Sequence, residues 1–202
     1  MDSKEEEFSR LLTTWPGMVS GPPGPLVEDC LVLLDHLGDA RSLVDVGSGG
    51  GMPGIPLKIA RPDLRVVLVE ADRRKAAFLV HAAARLDLDV EVVAERAEIA
   101  ARGPWREAFD VAVCRALAPM PALAELCLPF VRVGGRLLAM KAQVEEAGEA
   151  IAVLGGGPAE IVPAPSAARE RGVVVAVPKL AATPDAYPRR PGLPARRPLS
   201  GA

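Results

Sequence analysis

An α/β fold, built on a doubly wound and mostly parallel sheet of seven strands, is predicted by three features. Short apolar runs alternate with segments of helical period along most of the chain. A glycine cluster (Gly47, Gly49, Gly50, Gly51) directly follows the apolar run Leu43-Val44-Asp45-Val46. The first, second, fourth and fifth runs end at Gly47, Glu70, Arg115 and Lys141. In an open parallel sheet ligands bind outside the carboxyl ends of the strands, so these four positions should meet at one cleft.

The elements follow in order. Residues 1–25 hold a short helix around Glu5 to Leu12, broken by Trp15-Pro16-Gly17 and by the Gly-Pro run at 21–25, and read as a connector or mobile arm. Leu26, Cys30, Leu33, Leu34 and Leu37 give a helix face over 26–37. After the first strand and the glycine loop, Pro56 suits the first turn of a helix. Val66 to Val69 is the second strand, and Ala76, Leu79, Val80 and Ala83 mark a helix over 73–86. Val90 to Val93 is the third strand and Phe109 to Cys114 the fourth. Pro121 to Leu128 reads as a helix, Val133-Gly134-Gly135-Arg136 as a turn, and Leu137 to Met140 as the fifth strand. A helix from Gln143 to Leu154 and two closing strands, at 160–162 and 173–177, complete the sheet. The expected division is an arm at 1–25, a catalytic domain at 26–182 and a basic, Pro-rich tail at 183–202.

Composition narrows the class. The chain has 202 residues, half of them hydrophobic, which suits one α/β domain with an extension. No apolar run reaches the ~18 residues of a membrane span, so no membrane partner is expected. The acidic start is unlike a signal peptide, which points to the cytoplasm. Cys30, Cys114 and Cys127 fit no metal spacing and sit in apolar segments, so packed thiols and no metal are expected. The net charge is −2, but Arg189, Arg190, Arg196 and Arg197 form a local basic strip able to meet phosphate. Nothing in the sequence demands more than a monomer.

The glycine loop suits an adenosine-containing cofactor. Glycines allow positive φ and place no Cβ between backbone and ligand. The pattern predicts a bare loop with free N–H groups at the start of a helix. It is G-x-G-x-G rather than the dinucleotide G-x-G-x-x-G, with Met52 at the third dinucleotide position, which opposes a nicotinamide oxidoreductase. Glu70, at the end of the second strand, can accept the hydroxyls of a ribose, with Asp72 as a partial alternative. Asp45 is expected to order the loop through backbone N–H bonds.

The segments DVGSGGGMPGIPLKI, Arg96-Ala97-Glu98, Cys114-Arg115-Ala116, Met140-Lys141-Ala142-Gln143 and the tail TPDAYPRRPGLPARRPL together resemble the RsmG (GidB) family. That resemblance implies a Rossmann-like class I S-adenosylmethionine-dependent methyltransferase. It further implies a 16S rRNA substrate in the small ribosomal subunit, methylated at guanine N7 in a loop of the decoding region. Carried over by position, cofactor contacts fall on Gly47, Gly49, Gly51, Met52, Glu70, Ala97, Glu98 and Arg115. Ala97 and Glu98 would lie along the adenine, and Arg115 would reach the methionine end or the target base. Lys141 and the tail arginines would face RNA. No residue is singled out as a certain catalyst; Arg115 and Lys141 are candidates for positioning. A methyltransferase for another RNA or a small molecule, or an inactive cofactor-binding module, are the competing readings.

Guanine N7 is an acceptor lone pair with no proton to lose. Its methylation needs alignment rather than a general base. This agrees with the lack of an obvious acid/base pair, of an Asp/Asn-Pro-Pro-Tyr stretch and of a Pro-Cys nucleophile.

Overall fold

The computed structural model describes residues 3–199. The chain runs α1 (Ser3–Thr14), α2 (Pro23–Cys30), α3 (Leu34–Leu37), β1 (Ser42–Val46), α4 (Gly54–Ala60), β2 (Arg65–Val69), α5 (Arg73–Arg85) and β3 (Val90–Val93). It continues through α6 (Ala97–Ala100), β4 (Phe109–Arg115), α7 (Met120–Cys127), β5 (Val131–Lys141), α8 (Gly148–Val153), β6 (Glu160–Pro163), β7 (Val173–Pro178) and α9 (Leu193–Arg196). One seven-stranded sheet has the order β3-β2-β1-β4-β5-β7-β6. The pairs among β1 to β5 are parallel, and β7 runs antiparallel to both β5 and β6. The strand order reverses between β1 and β4, which creates the crevice where such sheets bind ligands.

Period-2 alternation sends the two faces of each strand into different cores. Leu43, Val111, Val113, Leu138 and Met140 pack under α1 to α5. Val44, Val46, Ala112, Cys114, Leu137 and Ala139 pack under α7 and α8. All three cysteines are buried thiols.

Three elements depart from expectation. The N-terminal segment is no mobile arm: Phe8, Leu11 and Leu12, at i, i+3 and i+4, are buried in the core, and the Trp15 ring lies 5.4 Å from Phe78 and 5.5 Å from His81. The expected turn at Val133 to Arg136 lies inside β5, where the register slips against β4 between Phe109 and Val111. Gly134 has φ +85°, and a Cβ on Gly135 would strike the Asp110 carbonyl, so the glycine pair makes a bulge and the strand continues. The helix expected from Gln143 begins only at Gly148. Ahead of it, Glu145 accepts from the Met120 N–H and pairs with Lys141, and Glu146 accepts from the Gly148 N–H. These side-chain bonds hold the segment in a non-helical path.

Residues 183–199 form an ordered strap. Arg102 Nε donates to the Pro188 carbonyl at 2.9 Å, and Arg106 donates to the Tyr187 and Thr183 carbonyls at 2.8 and 2.6 Å. At its root, buried Lys179 donates to the Leu128 and Leu154 carbonyls and to Thr183 Oγ1. The last three residues of the expected tail lie outside the described residues. No helix among the described residues is long and apolar enough to cross a membrane.

Candidate active site

At the crevice between β1 and β4 lies a cleft of about 240 Å³. Its walls include Gly47 and Gly49 from the glycine loop, Glu70 after β2, Ala97 and Glu98 at the start of α6, and Leu117 after β4. Gly47 has φ +71°, and a Cβ there would run into Leu117, so only glycine leaves the floor of the cleft open.

The loop is not a bank of free N–H groups. Gly47 and Ser48 both donate to the Val69 carbonyl, at 2.8 and 3.1 Å. Gly51 and Met52 donate to the Ser48 carbonyl at 2.7 and 3.1 Å. Gly49 N–H donates to Glu70 Oε2 at 2.8 Å. The loop is thus tied to the second strand, and its role is shape. α4 spans seven residues, Gly54 to Ala60, too short to act as an anion site by its dipole.

Glu70 is only 8% exposed. One oxygen accepts from Gly49 and the other from the Asp72 N–H at 2.7 Å. Each carboxylate oxygen keeps a lone pair for a second donor, the arrangement a vicinal diol requires. Asp72 does not share this role. Its carboxylate caps α5, accepting from the Arg74 and Lys75 N–H groups at 2.8 and 3.1 Å.

Asp45 lies below the loop, fully buried. Its Oδ2 accepts from the Gly54 N–H at 2.9 Å, and Oδ1 has no hydrogen-bond partner among the described residues. A Cβ on Gly54 would sit 2.8 Å from Asp45 Oδ2, so the glycine is what lets the carboxylate reach the helix start. Burial pushes the Asp45 carboxyl from 3.8 up to about 7, against the Gly54 hydrogen bond and with help from the Glu70 charge. The folded state therefore holds a proton that the unfolded chain releases. This stabilisation is complete below the unfolded value and is lost as pH rises through the folded one. About three pKa units correspond to at most ~4 kcal/mol lost between pH 4 and 7. Thermal melts at pH 5, 6, 7 and 8 should show a falling trend in the wild type and a flatter one in Asp45→Asn. Parallel trends would exclude Asp45 as the titrating group.

The remaining expected contacts divide. Gly47, Gly49, Glu70, Ala97 and Glu98 converge on the cleft, whereas Gly51 and Met52 do not line it. A Cβ on Gly51 would meet Ile55, and Met52 packs into the core. At the neighbouring Gly50, the Met18 carbonyl comes within 2.7 Å of where a Cβ would stand, so the N-terminal segment packs against that side of the loop. The Glu98 carboxylate accepts from Arg96 at 2.9 and 3.2 Å and from the Gly192 N–H at 2.7 Å. Burial would raise its pKa, but Arg96 and Gly192 outweigh burial and hold it below the usual range. Its charge is therefore engaged by protein, and the edge it offers the cleft joins α6 to the strap.

Arg115 ends β4 on the α1–α5 face of the sheet and points at Asp29 rather than into the cleft; its Nε lies 3.5 Å from Asp29 Oδ2. The following residue, Ala116, lines the cleft with φ +51°. Lys141 is held by the Ala118 carbonyl at 3.1 Å and by Glu145 at 3.0 Å. Arg189, expected on RNA, is instead bound to fully buried Glu125. Its backbone N–H, Nε and Nη2 all donate to that carboxylate, at 2.6 to 3.1 Å. Arg190, Arg196 and Arg197 are exposed. Sequence reasoning missed Asp29, Glu125 and Lys179 as organising residues, although acids inside apolar helices such as PGPLVEDC and MPALAELC were a readable signal.

The crevice, the glycine loop and the carboxylate on the neighbouring strand define a Rossmann-like methyltransferase fold. Solved structures share that fold. The O-methyltransferase TomG from Streptomyces achromogenes, in complex with SAM, superposes with a TM-score of 0.62 at 21% identity, covering 89% of this chain and 91% of that one. Cofactor-bound Rv0187 from MTB gives 0.64 at 18% identity, covering 90% and 92%.

Residues 25–153 match the family model "rRNA small subunit methyltransferase G". The chain is 49% identical over 170 residues to Ribosomal RNA small subunit methyltransferase G of Roseiflexus sp. (strain RS-1), covering 80% of this chain and 73% of that one. It is 44% identical over 177 residues to the protein of the same name from Moorella thermoacetica, covering 84% and 74%. This chain belongs to the rRNA small subunit methyltransferase G family.

Proposed function

We propose that the chain transfers a methyl group from S-adenosylmethionine to N7 of a guanine in the decoding-region loop of 16S rRNA, within the small ribosomal subunit. The observation that carries this reading is Glu70, fixed by two backbone N–H groups and facing an open cleft beside a glycine-floored strand end. The fit to a nucleoside rests on the donor set. Glu70 offers two acceptors for a diol, Gly47 gives the backbone a close approach, and Ala97 and Leu117 supply apolar surface for an adenine ring.

The bound donor supplies an electrophilic methyl group on a sulfonium. The protein must hold that carbon in line with N7 and exclude water. N7 gives its lone pair to the methyl carbon, the carbon–sulfur pair stays on sulfur, and no proton moves. Glu98 holds charge rather than accepting a proton, because Arg96 and the Gly192 N–H keep its carboxyl below the usual range against the effect of burial. Exposed Arg190, Arg196 and Arg197 lie on the strap that is bonded to Glu98, where phosphate contacts would position the RNA.

Methyl transfer to 30S subunits from a strain lacking the modification tests the reading. One labelled methyl group per subunit, on guanine N7, is the expected result. Donor binding without transfer to rRNA would move the activity to another RNA or a small molecule. Replacing Arg196 and Arg197 together by Ala should weaken RNA binding and lower the salt slope by about 1–2. An unchanged slope would place the strap outside the RNA interface.

A further inference from the structure

We propose that the amino end of the sheet, opposite the cleft, carries a second contact for the phosphate backbone of the RNA substrate, built from Arg41, Arg132 and Arg136. The inference rests on the rRNA reading above and extends it to a surface with no strap residue in its lining. A cavity of about 280 Å³ lies there, between the turn after α3, the starts of β1 and β4, and the bulge in β5. The three arginines are exposed and line it together with Asp39 and Asp110.

The bulge gathers these charges. Gly134 takes φ +85° and Gly135 lies against the Asp110 carbonyl, and this irregularity brings Arg132 and Arg136 to one cavity. Asp110 is spent on holding the site. Its Oδ2 accepts from the Arg41 and Ser42 N–H groups and from Ser42 Oγ, each at 2.9 Å, and its Oδ1 from Arg132 Nε at 2.7 Å. Arg132 Nη1 turns back to the Val133 carbonyl at 3.1 Å, which leaves Nη2 without a partner among the described residues. Arg136 has one long bond, from Nη1 to the His36 carbonyl at 3.4 Å. The Arg41 side chain has no hydrogen bond or ion pair with any described residue. Three guanidinium groups thus face two carboxylates, one of which is already engaged by four donors. Planar guanidinium forks match phosphate oxygens. The net charge of the chain is −2, so attraction to RNA must come from local groups such as these. Strands of five to seven residues, at ~3.3 Å each, put this end roughly 20 Å from the cleft. A ribosomal subunit is large enough to cover both ends, whereas a small-molecule acceptor would meet the cleft alone. Phosphate contacts at the far end would fix the orientation of the RNA without reading its sequence.

Binding to 30S subunits, measured over a series of salt concentrations, tests this. The double variant Arg41→Ala/Arg136→Ala should bind ~10-fold more weakly and lower the salt slope by ~1, with affinity for S-adenosylhomocysteine within ~2-fold of wild type. Asp39→Asn removes a negative charge from the rim and should bind ~2-fold to 3-fold more tightly, a gain that misfolding cannot produce. Unchanged affinities and slopes in both variants, while the wild type still methylates the subunits, would overturn the contact and leave the function standing. A rise in melting temperature with millimolar inorganic phosphate that vanishes in Arg41→Ala/Arg136→Ala, with subunit binding unaltered, would give the cavity to a free anion and overturn the RNA contact. A wild type that neither binds nor methylates the subunits would instead overturn the rRNA reading, and this inference with it.

Discussion

Glu70→Ala should lower affinity for S-adenosylhomocysteine by roughly two to three orders of magnitude, the largest binding loss expected of any single change. Two losses combine. The variant removes both acceptors for the ribose, and hydrogen bonds to a charged group contribute about 1.5–3 kcal/mol each. It also frees the Gly49 and Asp72 N–H groups that Glu70 now holds at 2.8 and 2.7 Å. The loop and the start of α5 then lose their common tie, and the cleft loses its shape. Glu70→Gln keeps one carbonyl acceptor and should lose only about tenfold, the difference reporting on charge. Calorimetry on both variants, with melting curves to verify folding, checks the pair. Equal affinities for wild type and Glu70→Ala would remove Glu70 from the donor site.

Glu125→Ala should be the most destabilising substitution on the strap side. Glu125 is fully buried in α7 and accepts four hydrogen bonds from Arg189. Breaking a buried pair by removing one partner costs about 3–5 kcal/mol. In a chain of this size that corresponds to a drop of roughly 10 °C in melting temperature. The effect should also be local. With Glu125 gone, the chain after Pro188 loses its anchor, and trypsin should cut after Arg189 and Arg196 at rates the wild type does not show. Because Glu98 is bonded to Gly192, the cleft should feel the change as weaker donor binding. The Arg189→Ala/Glu125→Ala pair should be no less stable than Glu125→Ala alone, since no charge is left without its partner. A wild-type melting curve for Glu125→Ala would mean the strap does not depend on this pair.

The glycine loop, the strand ends and the alternation of elements were legible because they follow local rules. Period 2 against period 3.6, a glycine run after an apolar strand, and an acid at the next strand end all lie within short windows of sequence. Glu70 belongs to this class. The residues that eluded a linear reading depend on partners distant in the chain. Asp29 meets Arg169 and Ser166 about 140 residues away. Glu125 meets Arg189, 64 residues on. Arg189 had a basic-tail context that suggested phosphate, and only its buried partner shows that it holds the strap.

The sequence by itself determined a mostly parallel α/β sheet, a glycine-floored cleft at its crevice and a carboxylate beside it, since these arise from backbone sterics and the pattern of apolar residues. Only the tertiary structure decided which charged groups are already engaged. It packed the N-terminal segment against the loop at Gly50, set Gly51 against Ile55 and Leu79 and Met52 into the core, and bound the tail across α6 and α7. The physical reason is that a charge is free or engaged according to what stands within about 3 Å of it, and in a sheet of this order those neighbours come from opposite ends of the chain.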